Sequence, residues 1–489
     1  MREPTHRTTR CPTHRLAVAA CILGLAGTAH AAPFKPCDDA ASKAALNGSL
    51  CAIDIVPGDP SGAAGGSAPS AAPVSLFVRK FPSPGPTRGQ VWLIAGGPGE
   101  SGASFYALVP ELRQAFPDFD LVMPDHRGTG FSTRLCPDEE APGSAGGAAL
   151  AGAEWASCFQ RLNEQPAYAR QFAQTNAAHD LKRLLERTPR QGQTFLYGVS
   201  YGTQLVLRTL ALGADGIDGV VLDSLVPLQD DATADLSRRS LVTDAVGRAW
   251  LARCDADAHC RAALGEPAES AYRRLLARLE GDPALNDAVP GKNLRRLFGA
   301  MLDVPFVADT IPYIVKDMNE GSTAALQGAI RKVEWQAAKL GAFAQSPPSI
   351  PLVSIISASE NNLRPQRTAQ DVKTEEKDLL FVSALPALLV EPGLPTYRPD
   401  AWYNTLPRQL PRTLVIQSAL DPKTPHAAAM RHVEALRKAG PVAVTTVENG
   451  AHFVLWAMPA CFTPAVRAFV RGDARPAPRC DLRTAVTGT

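Results

Sequence analysis

The sequence contains 489 residues, of which 45% are hydrophobic and 20% charged, a composition typical of a globular protein with room for a large core and a second domain. Basic and acidic residues nearly balance. The formal net charge is +2, and beyond the first 31 residues 46 basic residues face 47 acidic ones. This balance argues against a nucleic-acid partner and against a polybasic membrane-binding surface.

Residues 1–31 have the composition of a secretory signal peptide. Scattered arginines precede the apolar stretch Leu16–Gly27, and Ala-His-Ala at 29–31 supplies a small-x-small cleavage site. No later segment approaches the length of a membrane span, so we expect an exported protein without one, in the periplasm or outside the cell. Lipoprotein processing at Cys21, which follows Val-Ala-Ala, is the alternative.

Export permits disulfide bonds, and eight cysteines remain once Cys11 and Cys21 are set aside. Eight cysteines allow 105 connectivities, among which a sequence does not choose rigorously. They nevertheless fall into four local couples, and we expect the pairs Cys37–Cys51, Cys136–Cys158, Cys254–Cys260 and Cys461–Cys480. No Cys-x-x-Cys array with histidine spacing occurs in the sequence, which argues against a zinc site. We expect neither a metal site nor a cofactor.

The chain begins its predicted mature part with an N-terminal extension, residues 32–73, which ends in a linker rich in Gly, Ser, Ala and Pro. The first part of an α/β core follows at 74–227, where apolar strands alternate with glycine loops and helices, the pattern of a mainly parallel sheet. The expected strands are Val74–Phe81, Gln90–Ile94, Phe119–Met123, the strand before Gly198, and Gly219–Asp223. A helix is expected at Ala177–Leu185, with Asn176 as its N-cap.

This alternation stops at about residue 228 and resumes at about 406. Between these positions the pattern is mostly helical with proline-rich breaks, which predicts a cap domain over residues 228–405. The strands Thr413–Gln417 and Val442–Val447 then belong to the second part of the core, residues 406–489. A helical insertion between the later strands of such a sheet is expected to cover an active site.

The sequence around Ser200 predicts a nucleophile. An apolar stretch that begins at Thr194 leads into Gly198-Val-Ser-Tyr-Gly202, and the residues after it have helical spacing. Strand, Gly-x-Ser-x-Gly and helix in this order make the nucleophile elbow of the α/β-hydrolase fold, whose glycines allow a tight turn. A chance pentapeptide in a glycine-rich chain is the alternative.

A serine hydroxyl needs a base to take its proton, and the base needs an acid to orient it. In α/β-hydrolases the acid and the histidine follow the serine in that order, each after a later strand. Asp421 and His452 meet this expectation. Asp223 is a rival acid because it ends the strand after the elbow, and His452 has the alternative of being an ordinary exposed loop histidine.

An acyl-transfer intermediate also needs backbone N–H donors for its oxyanion. The N–H of Tyr201, directly after the serine, is one predicted donor. Gly96 or Gly97, in the glycine loop after an early strand, is expected to supply the other, since glycine lets the backbone approach the substrate. An ordinary Gly-Pro turn is the alternative for this loop.

Five motifs follow one another along the chain: Ala95-Gly-Gly-Pro-Gly-Glu-Ser-Gly102, Asp125-His-Arg-Gly-Thr-Gly-Phe-Ser132, Gly198-Val-Ser-Tyr-Gly-Thr203, Leu420-Asp-Pro-Lys-Thr-Pro425 and Gly450-Ala-His452. In this order they resemble the proline iminopeptidase and tripeptidyl aminopeptidase family of α/β-hydrolases, nearer its exported tripeptidyl branch. The resemblance is loose in the cap. It implies cleavage of short peptides from a free N-terminus, with the cap binding the substrate's α-amine.

Two glutamates are candidates for binding that amine. Glu100 stands where the family often has a small residue, and Ala95 where it often has His or Pro, so we expect substrate contacts that differ from the family's usual ones. Glu360 lies in the cap segment Ser357–Asn361, which resembles a Cys-x-x-Glu-like segment with serine in place of the cysteine. For both glutamates the alternative is a solvated surface residue without a ligand.

We therefore expect an exported serine hydrolase whose partner is a peptide or small-molecule substrate, most simply an aminopeptidase that releases N-terminal residues or short peptides through an acyl-enzyme. An esterase or amidase is the alternative, since a triad does not distinguish between acyl-transfer substrates. A third hypothesis is a non-enzymatic binding protein on the hydrolase scaffold, against which an intact triad argues.

Overall fold

The computed structural model describes residues 33–62, 72–141, 144, 153–472 and 476–482. The expected signal peptide, residues 1–31, lies outside the described residues, as does the middle of the expected linker. Ten strands of the described part form one sheet: β1 Lys35–Pro36, β2 Leu50–Val56, β3 Val74–Phe81, β4 Gly89–Ile94, β5 Phe119–Pro124, β6 Gln193–Val199, β7 Gly219–Asp223, β8 Thr413–Ser418, β9 Val442–Val447 and β10 Arg479–Cys480. Their spatial order is β1-β2-β3-β5-β4-β6-β7-β8-β9-β10.

Nineteen α-helices accompany the sheet in the described part of the chain: α1 Val109–Ala115, α2 Ala156–Glu164, α3 Pro166–Gln171, α4 Gln174–Arg187, α5 Tyr201–Ala211, α6 Arg239–Ala256, α7 Ala258–Leu264, α8 Ala268–Gly281, α9 Pro283–Asp287, α10 Leu294–Met301, α11 Pro305–Ala308, α12 Ile311–Asn319, α13 Ala324–Leu340, α14 Ile350–Glu360, α15 Ala369–Glu376, α16 Leu385–Leu388, α17 His426–Leu436, α18 Val454–Ala457 and α19 Pro459–Arg471. Short 3-10 helices occur at Ala44–Leu46, Gly102–Leu108, Ala153–Trp155, Leu236–Arg238 and Pro290–Lys292.

The sheet is mostly parallel, and its central strands are buried on both faces. From β5 to β10 all neighbouring strands pair in parallel, whereas β1, β2 and β3 pair antiparallel. Strands β4, β7 and β8 are buried at every position, as expected for parallel strands covered by helices on both faces. Helices α4, α5 and α17 contribute to the apolar cluster on one face, and α1 and α19 to the cluster on the other.

The α/β architecture predicted from the sequence is confirmed, and β3, β7 and β9 have the predicted bounds. The N-cap prediction is wrong, because α4 begins at Gln174 with Ala173 as its N-cap. Asn176 lies inside the first turn instead. There its side-chain amide donates to the carbonyls of Arg170 and Gln171, at 3.2 Å each.

Sequence reasoning missed that the N-terminal extension adds strands to the sheet. Strand β2 pairs with β3 over seven residues. Its pattern reverses the usual one, since Ile53 and Ile55 are more than half exposed while Asp54 between them is buried against Arg187, with 2.7 Å between Asp54 Oδ1 and Arg187 Nη1. A charged residue inside and apolar residues outside conceal a strand from pattern analysis.

Every regular element between β7 and β8 is helical, and each residue of that stretch is described. A third apolar cluster, from Val246 to Phe381, lies wholly within this helical segment. We propose that residues 228–405 form the expected cap. Its side chains line a cavity together with residues at the carboxyl ends of β4 and β6.

The eight cysteines of the described part form the four expected disulfide bonds, Cys37–Cys51, Cys136–Cys158, Cys254–Cys260 and Cys461–Cys480. The last of these ties α19 to the short strand β10 at the sheet edge. No helix in the described ranges combines the length and the apolar composition that crossing a bilayer requires.

Candidate active site

Ser200 occupies the sharp turn between β6 and α5, at φ 54° and ψ −126°. A non-glycine residue at positive φ is strained and must be held by its surroundings. The Ser200 N–H donates to the Asp223 carbonyl oxygen at 3.0 Å. The turn leaves no room beside it, since a Cβ on Gly198 would lie 2.5 Å from the Gly202 carbonyl oxygen. These features are the backbone geometry of a nucleophile elbow.

His452 and Asp421 lie together. The distance from His452 Nδ1 is 2.9 Å to Asp421 Oδ2 and 3.1 Å to Asp421 Oδ1. Asp421 is fully buried, and its Oδ1 also accepts hydrogen bonds from the N–H groups of Lys423 (2.8 Å) and Thr424 (2.7 Å). The Thr424 hydroxyl donates to Oδ2 at 2.6 Å.

This environment fixes the charge of Asp421. Burial by itself would raise the pKa of the carboxyl, but the charge and hydrogen bond of His452, with the Thr424 donors, outweigh burial and lower the pKa to about 2. Asp421 is therefore ionised at neutral pH. An ionised acceptor requires a proton on His452 Nδ1, which leaves Nε2 to accept a proton from a nucleophile.

The glycine loop after β4 passes directly over the serine. It lies where the strand order reverses, between β4 and β6, the place at which open α/β sheets bind ligands. A Cβ built on Gly96 would lie 3.2 Å from Ser200 Cβ and 3.5 Å from Glu100 Oε2. Gly97 follows at φ 107°, and Tyr201 begins α5, where a backbone N–H has no acceptor within the helix.

Ser200 and His452 line one cavity of about 710 Å³, together with Gly96, Gly97 and Tyr201. The opposite wall comes from the helical segment, chiefly from α6, α10, α13, α14 and α16. Most of the lining is apolar. Its charged side chains, apart from the histidine, are Glu100, Arg239, Arg296, Asp303 and Lys423.

Two family models match the chain over separate ranges. The model described as "alpha/beta hydrolase fold" matches residues 91–288, which contain Ser200. The model described as "TAP-like protein" matches residues 393–481, which contain Asp421 and His452. The chain has the α/β-hydrolase fold.

The chain is also similar to solved structures, at low sequence identity. They include a laboratory-evolved variant of potato epoxide hydrolase (14% identity, 82% of this chain and 96% of that chain, TM-score 0.36) and VinJ (16% identity, 86% and 98%, TM-score 0.36). An esterase from Exiguobacterium antarcticum matches with 13% identity over 81% of this chain and 95% of that chain, with a TM-score of 0.34. No curated protein sequence matches the chain.

Asp223, the rival acid, has a different place in this α/β-hydrolase. Its Oδ1 accepts from the Val454 N–H (2.8 Å), and its Oδ2 from the Leu455 N–H (3.0 Å) and the Tyr197 hydroxyl (2.9 Å). These two N–H groups begin α18, directly after the turn that carries His452. Asp223 therefore holds the histidine's turn in place, a role that its position at the end of a strand did not predict.

The structure does not place Glu360 at the cavity of this hydrolase. Its carboxylate is buried and meets Arg208 Nη2 at 3.2 Å, while the Tyr397 hydroxyl donates to it at 2.6 Å. Gln229 and the Gln174 N–H each donate at 3.3 Å. Because α14 ends with this side chain directed at α5, the neighbouring Asn361 lines the cavity and Glu360 does not.

Glu100 remains as a carboxylate beside the serine. Its Oε2 accepts a hydrogen bond of 3.3 Å from the Ser104 hydroxyl. Within the described part of the chain no Lys, Arg or His side chain forms an ion pair with it. The structure thus brings Glu100 together with Ser200, His452, Gly96 and Tyr201 around one cavity, and Asp421 behind them.

Proposed function

We propose that Ser200, His452 and Asp421 are a catalytic triad for acyl transfer. His452 takes the hydroxyl proton while Ser200 Oγ bonds to the substrate carbonyl carbon. The backbone N–H groups of Tyr201 and of Gly96 or Gly97 bind the resulting oxyanion. The imidazolium returns the proton to the leaving group, and water releases the acyl group by the same steps in reverse.

We propose further that the substrate is a peptide with a free N-terminus and that Glu100 binds its ammonium group. The observation that carries this proposal is that Ser200 Cβ and Glu100 Oε2 both lie within 3.5 Å of the Cβ position on Gly96. The α-nitrogen of an N-terminal residue is two bonds from the carbonyl carbon that the serine attacks. A carboxylate that flanks the same glycine as the nucleophile is therefore within reach of it.

Electrostatics supports the same assignment. Glu100 is partly buried in a largely apolar cavity and forms no ion pair among the described residues. The cation whose charge acts on it, Lys423, is paired with Asp303. A carboxylate withdrawn from water needs a compensating charge or several donors. A substrate ammonium supplies both, whereas a neutral ester supplies neither.

A substrate panel tests this proposal. Free-amine aminoacyl and tripeptidyl coumarin amides are compared with their N-acetylated versions and with a neutral p-nitrophenyl ester. Glu100→Gln is expected to lower kcat/KM about 10- to 100-fold for the free-amine aminoacyl amides, whose amine is two bonds from the attacked carbonyl carbon, and to leave ester turnover nearly unchanged; the loss is the range for a hydrogen bond to a charged group. Glu434→Gln, an exposed side chain on α17, is the matched control.

Two outcomes would contradict the aminopeptidase proposal: equal losses on amide and ester substrates, or cleavage of N-acetylated peptides as fast as free ones. Either result would leave the esterase or amidase function in its place.

We also propose that the protein is exported, to the periplasm or outside the cell. The four disulfide bonds support this, since disulfides persist in oxidising compartments. Mass spectrometry of the mature protein is expected to find an N-terminus near residue 32 and no free thiol. A full-length chain recovered from the cytoplasm with reduced cysteines would contradict it.

A further inference from the structure

The cavity contains a buried cation without a partner. Arg239 is the first residue of α6, and only 9% of its surface is exposed. Its guanidinium makes no ion pair or hydrogen bond within the described residues, and its Nε is buried without an acceptor. The side chain nevertheless lines the cavity that contains Ser200 and His452.

The nearby carboxylates form no hydrogen bond with Arg239. Asp421 is bonded to His452 and Thr424, as described above. Asp303 pairs with Lys423 through Oδ2, at 2.9 Å from Lys423 Nζ, while its Oδ1 is buried without a hydrogen-bond partner among the described residues. Burial lowers the pKa of Arg239 to about 10, against the opposing charges of Asp421 and Asp303, so the guanidinium stays charged at neutral pH.

A buried and unpaired charge lowers stability, and natural proteins retain such costs chiefly at functional sites. A guanidinium binds carboxylates through a planar fork of parallel N–H groups, with higher specificity than an ammonium group. No described residue accepts a hydrogen bond from the Arg239 guanidinium, and a carboxylate that enters the cavity would do so.

We propose that Arg239 binds a carboxylate of the substrate. The inference rests on the proposed function: Glu100 takes the substrate's ammonium group, Arg239 takes a carboxylate, and the preferred substrates are short zwitterionic peptides. The carboxylate has two sources, the C-terminus of a short peptide or an acidic side chain. Either group fits in a cavity of about 710 Å³ beside the scissile bond.

The test compares matched peptides with a free N-terminus. One pair ends in a carboxylate or a carboxamide, and a second, amidated pair carries Glu or Gln at the same position. In the pair whose carboxylate binds Arg239, Arg239→Gln is expected to lower kcat/KM about 10- to 100-fold for the peptide that carries the carboxylate. For the neutral peptide of the same pair, kcat/KM is expected to stay nearly unchanged. The pair that responds identifies the source of the carboxylate.

Arg238→Gln is the matched control, since Arg238 is the adjacent arginine, makes the same charge change and does not line the cavity. Arg239→Lys is expected to recover part of the loss, because it restores the charge without the fork. The melting temperature of Arg239→Gln is expected to equal or exceed that of the wild type.

Three results would overturn the proposal. One is a wild-type enzyme that does not distinguish carboxylate from neutral substrates. The second is an equal loss on both members of each pair, which would mean that Arg239 only supports the triad through Asp421. The third is a lower melting temperature without any selective loss, which would mean a purely structural role.

A further comparison tests the carboxylate site independently of the proposed aminopeptidase function. If the enzyme ignores the amine or cleaves no peptide, the same comparison is made with N-acetylated peptides and with p-nitrophenyl hydrogen succinate against p-nitrophenyl butyrate. A selective loss of the carboxylate ester in Arg239→Gln would keep the carboxylate site while rejecting the aminopeptidase. No selectivity in any pair would reject the site.

Discussion

The strand-end loops and the helical segment between β7 and β8 line the same cavity. They differ in whether their polar groups have hydrogen-bond partners within the protein. The loops present groups that the core has already fixed, such as Asp421 with its Thr424 donors and the His452 turn held by Asp223. The helical segment presents mostly apolar side chains, and its buried Arg239 has no partner in the described part of the chain. Under the proposed function the catalytic groups are therefore already positioned by the protein, whereas Arg239 acquires a partner only when a substrate binds.

The largest expected effect concerns the loops. Ser200→Ala or His452→Ala is expected to reduce kcat by up to roughly 10⁶-fold, because triad members act as a unit. Circular dichroism and melting temperature should show that both variants stay folded. Turnover within about tenfold of the wild type in either variant would mean that the loops do not hold the catalytic groups.

A comparison of Asp421→Asn with Asp223→Asn tests which of the two acids orients His452 for catalysis and which one only holds its turn in place. Asp421→Asn is expected to cost up to about 10⁴-fold in kcat, because an amide in place of the carboxylate favours the wrong imidazole tautomer. Asp223→Asn removes an acceptor for the turn after His452, and a smaller loss of kcat with a lower melting temperature is expected. If Asp223→Asn is the more damaging to kcat, the two acids exchange roles.

The stability effects of Glu360→Gln and Glu100→Gln distinguish a structural carboxylate from one that is available to a substrate. It leaves Arg208 buried without its carboxylate, and breaking a buried ion pair from one side is expected to lower the unfolding free energy by about 3 kcal/mol. Glu100→Gln, which loses only a hydrogen bond from Ser104, is expected to change stability little. Urea denaturation of the two variants measures this. A larger destabilisation by Glu100→Gln would reverse the structural and substrate-binding roles.

The smallest expected effect is a pH dependence. Because the pKa of Asp421 is lowered to about 2 in the folded protein, its ionisation contributes stability above its ordinary pKa near 4, and this is lost as pH falls through about 2. The contribution is about 2 to 3 kcal/mol. The stability difference between wild type and Asp421→Asn should therefore shrink from pH 6 to pH 2. A difference that stays constant over this range would mean an unperturbed carboxyl.

The strand-end loops could be predicted from the sequence because their geometry depends on residues that are close together in the chain. Gly198 and Gly202 fit the strained turn at Ser200, and the strands that end before Asp421 and His452 are rich in apolar and β-branched residues. The disulfide pairs were also local, with partners close in sequence. Features of this kind can be recognised from a short stretch of sequence.

The remaining features depend on contacts between distant segments. Asp54 is buried in β2 only because Arg187 of α4 reaches it, and Glu360 is directed away from the cavity by Arg208 of α5. Arg239 carries no motif at all. Its significance arises because the two acids whose charges act on it, Asp421 and Asp303, pair with His452 and Lys423 instead, which no sequence pattern displays.

One measurement tests the central claim, that Ser200 is a nucleophile activated by His452, most directly. The protein is treated with a fluorophosphonate, digested and mapped by mass spectrometry, with His452→Ala treated in parallel. The structure predicts one modified residue, Ser200, in the wild type and almost none in the variant, since an unactivated serine reacts slowly. Modification of a different serine, or equal labelling of Ser200 with and without the histidine, would contradict it.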